Sequence, residues 1–354
     1  WGCRRRLTRR WTSICSRGSG WRRRRRWAAA TIGRAGSTIM GYAGITSRDV
    51  QFNSDAYFVY ASVKQIQDNM AGKTCPVRLN LSNTTPTADA GLDYTIPRST
   101  PFVLTGVATD SDNDMLTYCW EQNDSATSNA QTGAQSAASP TKTIGPNWRS
   151  YSPVNTPTRY FPPLSRVIAN QSTTSGLEIV TEALSSVART LNFRLTARDN
   201  VAGQGQTNFD NTVITVDATR GPLTVTSQNT AGISYPTSSV QTVTWTVNNT
   251  NTSAGGANVD ILLSTDNGVT WTTLLANTPN DGSQAVTMPA TPAPYCRLMV
   301  KASGNIFFNV NTQTFAVGYT VSTTCNNYTM NTGFAIPDNN TAFTVRAINV
   351  PTTA

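Results

Sequence analysis

Residues 258–271 read Asn-Val-Asp-Ile-Leu-Leu-Ser-Thr-Asp-Asn-Gly-Val-Thr-Trp. Val259, Ile261 and Leu263 recur every second position, the period that places alternate side chains on one face of a half-buried strand. Asp266-Asn267-Gly268 then supplies hairpin-turn residues, because Asn and Gly tolerate the positive φ a tight turn needs. The run Ser264–Trp271 also matches the Asp-box pattern S-x-D-x-G-x-T-W, whose residues stabilise a hairpin. Outward from it, Val243, Trp245 and Val247 alternate on one side, and Leu298 and Val300 on the other. Upstream, Phe102–Ala108, Leu116–Glu121, Leu191–Ala197 and Thr212–Val216 read as further short strands. Trp120 and Trp245 fall inside strands and are expected in the cores. Strands at this spacing predict two antiparallel Ig-like β-sandwiches in tandem.

Boundaries follow from composition. Gly221-Pro222 separates a first sandwich, 89–218, from a second, 219–319. Within the first, 123–163 is rich in Ser, Thr, Ala, Gln and Pro and reads as a long loop or insertion. A polar linker with Pro76 and Pro86 spans 76–88. Ahead of it, Val63, Ile66 and Met70 share one helical face within 57–71, and Gly72 is a natural stop. Small residues around Ile39, Met40 and Tyr42 predict a tight turn with its apolar side chains inward. After about 320 a third β unit is expected to begin, truncated, since a sandwich needs roughly 100 residues.

Charge is unevenly placed. Of 28 basic residues, twelve are arginines within 1–34, a stretch without Asp or Glu; the remainder carries sixteen basic and nineteen acidic residues. Residues 1–35 are therefore expected to be disordered or out of frame. The abrupt change, with no period, fits a GGC glycine-codon run translated as CGG arginine, which would make Arg22–Arg26 a shifted glycine loop. The alternative is a basic arm for nucleic acid, with Trp1, Trp11, Trp21 and Trp27 among the arginines. With the rest of the chain slightly acidic, nucleic acid is not the expected partner. No apolar run approaches the roughly 20 residues of a membrane span, and the N-terminus lacks the apolar core of a signal peptide.

The chain has no histidine, which removes every mechanism needing a histidine base or metal ligand. Of six cysteines, Cys3 and Cys15 lie in the arginine-rich stretch, and Cys75, Cys119, Cys296 and Cys325 allow three pairings. Cys119, mid-strand beside Trp120, also suits a buried free thiol. Asp110, Asp112 and Asp114 alternate after a strand, and Asp199 could join them. Such carboxylates suit calcium, which takes six to eight oxygens; the alternative is a solvated acidic turn.

Gly36–Ile45 followed by Asn53-Ser-Asp-Ala-Tyr-Phe58 resembles bacterial reprolysin-like zinc metallopeptidases of the metzincin group. Ser37-Thr-Ile-Met-Gly-Tyr42 looks like their Met-turn. The resemblance implies that Met40 is the methionine beneath the zinc and that Tyr42 can approach the metal. It implies that 36–75 is a remnant of an α+β catalytic domain, the helix being its last. Pro86–Asp124 and Gly221–Val317 look like the Ig-like modules that follow such domains, and Cys325–Val350, with Ile336-Pro-Asp-Asn-Asn340, like the start of a P-domain-like module, 320–354. The zinc ligands of HExxHxxGxxH are absent, so neither the metal nor the motif glutamate that activates its water is present. The expectation is a fragment of a secreted or cell-surface zinc metalloendopeptidase, zinc-bound only in the complete protein and inactive as this chain. Its partners would be protein substrates or extracellular polymers. The alternative is a cell-surface adhesion or polymer-binding protein built of Ig-like modules.

Overall fold

The computed structural model describes residues 37–41, 43–45, 48–74, 80–125, 136–321 and the pair 352–353. The readings made on 1–35, Tyr42, Cys75, Cys325 and 336–340 lie outside these residues.

The first module is built on β1 (Tyr94–Pro97), β2 (Phe102–Thr105), β3 (Thr117–Gln122), β4 (Thr158–Phe161), β5 (Thr173–Ser175), β6 (Val180–Ala183), β7 (Arg189–Arg198) and β8 (Thr207–Asp217). β7 and β8 form a long antiparallel pair in which Arg189 opposes Val216 and Arg198 opposes Thr207. β3 joins β7 antiparallel and β1 joins β8 parallel, giving the order β1-β8-β7-β3. β2 and β4 pair separately, as do β5 and β6. Period-2 patterning decides which face is buried: Leu191, Phe193, Leu195 and Ala197 all point into the core. There Leu191, Phe193 and Leu195 meet Phe102, Leu104, Trp120, Phe161 and Ile214. Phe102 and Phe161 stack at 4.9 Å, with Trp148 edge-on to both. Burying each such side chain contributes about 1.5–3 kcal/mol.

The reading of 123–163 as a long loop or insertion is corrected in part: 136–157 carries no strand, yet it is not peripheral. Residues 126–135 lie outside the described set, but 136–161 supplies β4 and the fully buried Trp148. Polar composition concealed this, because a few apolar anchors suffice when the backbone is satisfied by other groups. Gln122 Oε1 accepts the amides of Asn147 and Trp148 at 2.7 and 2.9 Å. Lys142 Nζ donates to the carbonyls of Ser136, Ala137 and Pro146.

The second module contains β9 (Thr224–Val225), β10 (Ser234–Tyr235), β11 (Val240–Thr246), β12 (Asn258–Ser264), β13 (Thr272–Pro279), β14 (Ser283–Thr287), β15 (Ala293–Ala302), β16 (Phe308–Val310) and β17 (Phe315–Val317). One sheet runs β14-β11-β9 and the other β10-β17-β15-β12-β13, with β16 also on β15. Val243, Trp245, Val259, Ile261, Leu263, Leu298 and Val300, the alternating positions of the sequence, meet in one core between the sheets. Beyond it β18 (Tyr319–Thr320) pairs with β19 (Thr352–Thr353).

The modules are not beads on a linker. The amide of Val103 donates to Ile306 O at 3.0 Å, and that of Phe308 to Pro101 O at 2.9 Å, with Phe102 bridged to Phe307. Backbone pairing thus runs from β4 through β2 into the β16 region and on to β15, β12 and β13. Val103, Val167, Met299, Phe308 and Val310 form a third core at this junction. Gly221 sits where the modules meet with φ +91°, and a Cβ there would lie 2.6 Å from Pro97 Cβ and 2.7 Å from Arg98 O. Only glycine fits.

Ahead of the modules, a 3-10 turn (Ile39–Gly41) and α1 (Tyr60–Ala71) are the described elements; α2 (Leu164–Ile168) lies within the first module. α1 ends at Gly72 as expected.

Candidate functional site

The acidic turn is the one group of metal-ligating side chains among the described residues. Asp110, Asp112 and Asp114 each bring a carboxylate oxygen within 4.8 Å of the others. Local bonds shape the turn: Asp110 Oδ1 accepts the amide of Asp112 at 2.8 Å, and Asn113 takes φ +62°. Burial and the charges of Asp110, Asp112 and Asp199 push the Asp114 carboxyl above its ordinary value. Asp110 Oδ2 is buried and has no hydrogen-bond partner.

Asp199 is close enough to act on Asp114, yet its oxygens are engaged. Oδ2 accepts from Asn83 Nδ2 at 2.7 Å; Oδ1 accepts from the amides of Gln206 at 2.8 Å and Val201 at 3.3 Å. Asp112 Oδ2 takes both the amide and the hydroxyl of Thr84 at 2.7 Å, which holds its carboxyl below the usual range. Residues 82–85, within the stretch read as a polar linker over 76–88, are therefore tied to the first module through this turn and through Gln204 and Gln206. The donor set is all oxygen and carries several negative charges, so it fits a hard divalent cation such as calcium. Among the described residues three carboxylates converge, and further ligands there would have to be carbonyls or water.

The Asp-box forms the hairpin its sequence implies. Ser264 Oγ donates to Asp266 Oδ1 at 2.7 Å and accepts the amide of Gly268 at 2.7 Å. Asp266 accepts the amides of Val269 and Thr270 and the Thr270 hydroxyl. These bonds, the Thr270 hydroxyl foremost, lower its pKa to about 2. The hairpin is also a contact between modules: a Cβ on Gly268 would lie 3.1 Å from Ile168 Cδ1, and Trp271 and Ile168 both pack on the junction core.

The segment carrying the Met-turn resemblance docks on the first module. The amides of Leu177 and Glu178 donate to Val50 O and Asp49 O. Tyr57 Oη bonds Ser150 Oγ at 2.7 Å, and Arg198 donates to Phe58 O at 2.9 Å. The amide of Tyr60, at the start of α1, donates to both Glu121 oxygens, at 2.9 and 3.2 Å. Arg194 lies over the rings of Tyr60 and Phe209. Nothing in the sequence singled out Glu121, because its partner is 61 residues away.

The expected inward packing of the turn is corrected. Met40 is 56% exposed, Ile39 46% and Ile45 71%, with Ile66 and Met70 of α1 open as well. Val63, on the same face, is half-buried, and α1 from Lys64 to Ala71 is exposed. Cys119 and Cys296 are both free and buried, and burial raises their thiols, Cys296 to about 12. Trp120 and Trp245 are core residues, each 3% exposed.

No family model and no curated protein matches the chain. Among solved structures it is similar to the fibronectin(III)-like modules of Clostridium thermocellum CbhA, with 10% identity, TM-score 0.20, 66% of this chain and 92% of that one. It is also similar to a chimeric titin Z1Z2 tandem, with 10% identity, TM-score 0.21, 66% of this chain and 97% of that one. For the insect immune protein hemolin the figures are 9%, 0.17, 68% and 49%. At such TM-scores the strand order, and not the likeness, carries the assignment of tandem Ig-like sandwiches. No helix among the described residues is long and apolar enough to cross a membrane.

Proposed function

We propose that this chain is a non-catalytic binding unit of a secreted or cell-surface protein, in which two fused Ig-like modules present a surface to an extracellular polymer or protein. The observation that carries it is the backbone pairing of Val103 with Ile306 across the junction. It holds the modules in one orientation, as a presenting scaffold requires. Calcium at Asp110, Asp112 and Asp114 would stiffen the edge where 82–85 is tied down. The test is sedimentation of the purified chain with chitin, cellulose, peptidoglycan sacculi, collagen and fibrinogen. Pelleting with one of them is expected; a chain left in the supernatant by all five removes the proposal.

A second reading has its own support. Ile39, Met40, Ile45, Ile66 and Met70 are apolar, exposed and gathered on the docked segment. A 12-residue helix exposed from Lys64 onward is marginal alone, which supports a covering partner for these apolar residues. The remainder of a metzincin catalytic domain would cover it, making the parent a zinc metallopeptidase whose Met-turn is Met40. Resequencing the gene across codons 1–35 in all frames tests this: an HExxHxxGxxH helix in frame with Met40 is expected. A standing arginine-rich reading with no such motif upstream leaves the first proposal alone.

A further inference from the structure

In each module the chain that enters lies beside the chain that leaves, and both run the same way. In the first, Gln206 Nε2 donates to Asn83 O at 2.6 Å, Asn208 Nδ2 to Pro86 O at 2.9 Å and Thr212 Oγ1 to Leu92 O at 2.7 Å. The amide of Ala90 donates to Asp210 Oδ2 at 2.9 Å, and that of Val213 to Asp93 Oδ1 at 2.7 Å. The parallel pairing of β1 with β8 carries on from Tyr94 opposite Ile214 to Pro97 opposite Asp217. Partners are 120 to 123 residues apart throughout. A separation that holds steady marks a parallel run, because both partners advance together.

The second module repeats the device at a separation of 83 or 84 residues. The amide of Val225 donates to Asn309 Oδ1 at 3.1 Å, Asn311 Nδ2 to Gln228 O at 2.8 Å and the amide of Thr312 to Asn229 Oδ1 at 2.6 Å. β10 and β17 then pair in parallel, with the amides of Ala316 and Gly318 on Ile233 O and Tyr235 O at 3.0 and 2.8 Å.

Direction decides what a load does. Tension along the chain draws 83–98 back toward its start and 206–217 on toward its end. The two runs slide against each other, so all their bonds are strained together and none opens ahead of the rest. An antiparallel pair loaded in the same way would open from one end, bond by bond. Closing the first sheet asks only for β1. The run ahead of it adds bonds through Thr85 and Asp93, both exposed, and such bonds contribute little at equilibrium because water competes for them. Forced unfolding is set instead by the barrier along the pulling direction, where they act in concert. We propose that the two parallel runs are shear clamps and that this chain is a load-bearing tether, holding an extracellular partner in place under tension. The proposal rests on the surface-presentation reading and adds its mechanical role.

The test holds the full chain by its two ends under constant load. The comparison holds it by its N-terminal end and by a tag inserted after Gly203, in the β7–β8 turn, where a Cβ would meet nothing within 4 Å. That second pair of points grips 83–98 and 206–217 at the same end and peels the same bonds in sequence. The folded lifetime should be about a hundredfold longer end to end. Asp93→Ala combined with Asn229→Ala takes one polar side chain from each run. It should shorten the end-to-end lifetime about tenfold while the unfolding rate in urea changes less than about threefold. Equal lifetimes in the two geometries overturn the clamps, whatever the chain sediments with. So does a loaded lifetime that the double variant leaves unchanged. A long end-to-end lifetime in a chain that pellets with no polymer upholds the clamps and removes the polymer-binding reading.

Discussion

The amide of Val103 in the first module donates to the carbonyl of Ile306 in the second across 3.0 Å. Two sandwiches that each have their own core are thereby joined through backbone, with Phe308 fully buried in a third core between them. Calorimetry should show one cooperative unfolding transition. Phe308→Ala should cost about 3–5 kcal/mol and split the endotherm into two. A single unsplit transition in that variant would count against mechanical fusion of the modules.

Trp148 has no exposed surface and sits edge-on to Phe102 and Phe161. Trp148→Ala should destabilise the first module by about 3–5 kcal/mol, measured by denaturant titration. A change under about 0.5 kcal/mol would return the 136–157 stretch to the status of a decorating loop.

Asp266 has a folded-state pKa lowered from 3.8 to about 2 by the Thr270 hydroxyl, the Thr270 amide and Ser264. A depressed carboxylate contributes stability that is present above its unfolded value and is lost as pH falls through the folded one. The Asp-box hairpin should therefore loosen between about pH 4 and pH 2, seen as quenching change at Trp271. Asp266→Asn should flatten that step.

Glu121 behaves in the opposite sense. Burial raises its pKa, opposed by Arg198 and the Tyr60 amide. A raised folded-state value means the proton is held more tightly in the folded form than in the unfolded one, so its contribution is present in acid and lost as pH rises through that value. The unfolding free energy should carry a component that falls from acid to neutral pH, measured by denaturant titration. Glu121→Gln keeps an acceptor for Tyr60 and should remove the fall, while Glu121→Ala should weaken docking by about 1–3 kcal/mol. An unchanged pH response in the Gln variant would place the titrating group elsewhere.

Calcium, if held by Asp110, Asp112 and Asp114, should raise the unfolding free energy by about 2.7 kcal/mol at one hundred times Kd. Asp110→Asn, which alters the carboxylate with the unpartnered oxygen, should abolish that response. Equal melting temperatures with calcium and with chelator would dismiss the site.

Much of the fold is legible in local order. Val259, Ile261 and Leu263 alternate and are all buried; Asp266-Asn-Gly268 turns where it must; Gly72 stops α1. The three aspartates also meet as their spacing implies, because alternate residues of one turn share a side whatever the rest of the chain does. Met40 was legible as a turn residue but not as an exposed one, since exposure depends on what packs against it.

Local order sets the fold class: period-2 strands and turn residues between them. Packing of distant segments puts Trp148 in the core, ties down 82–85, brings Glu121 to the start of a helix 61 residues upstream and joins two sandwiches through one backbone ladder. The physical reason is range. Strand periodicity and turn chemistry are written in neighbours a few residues apart, whereas a buried polar group is satisfied by whichever distant segment the fold delivers to it.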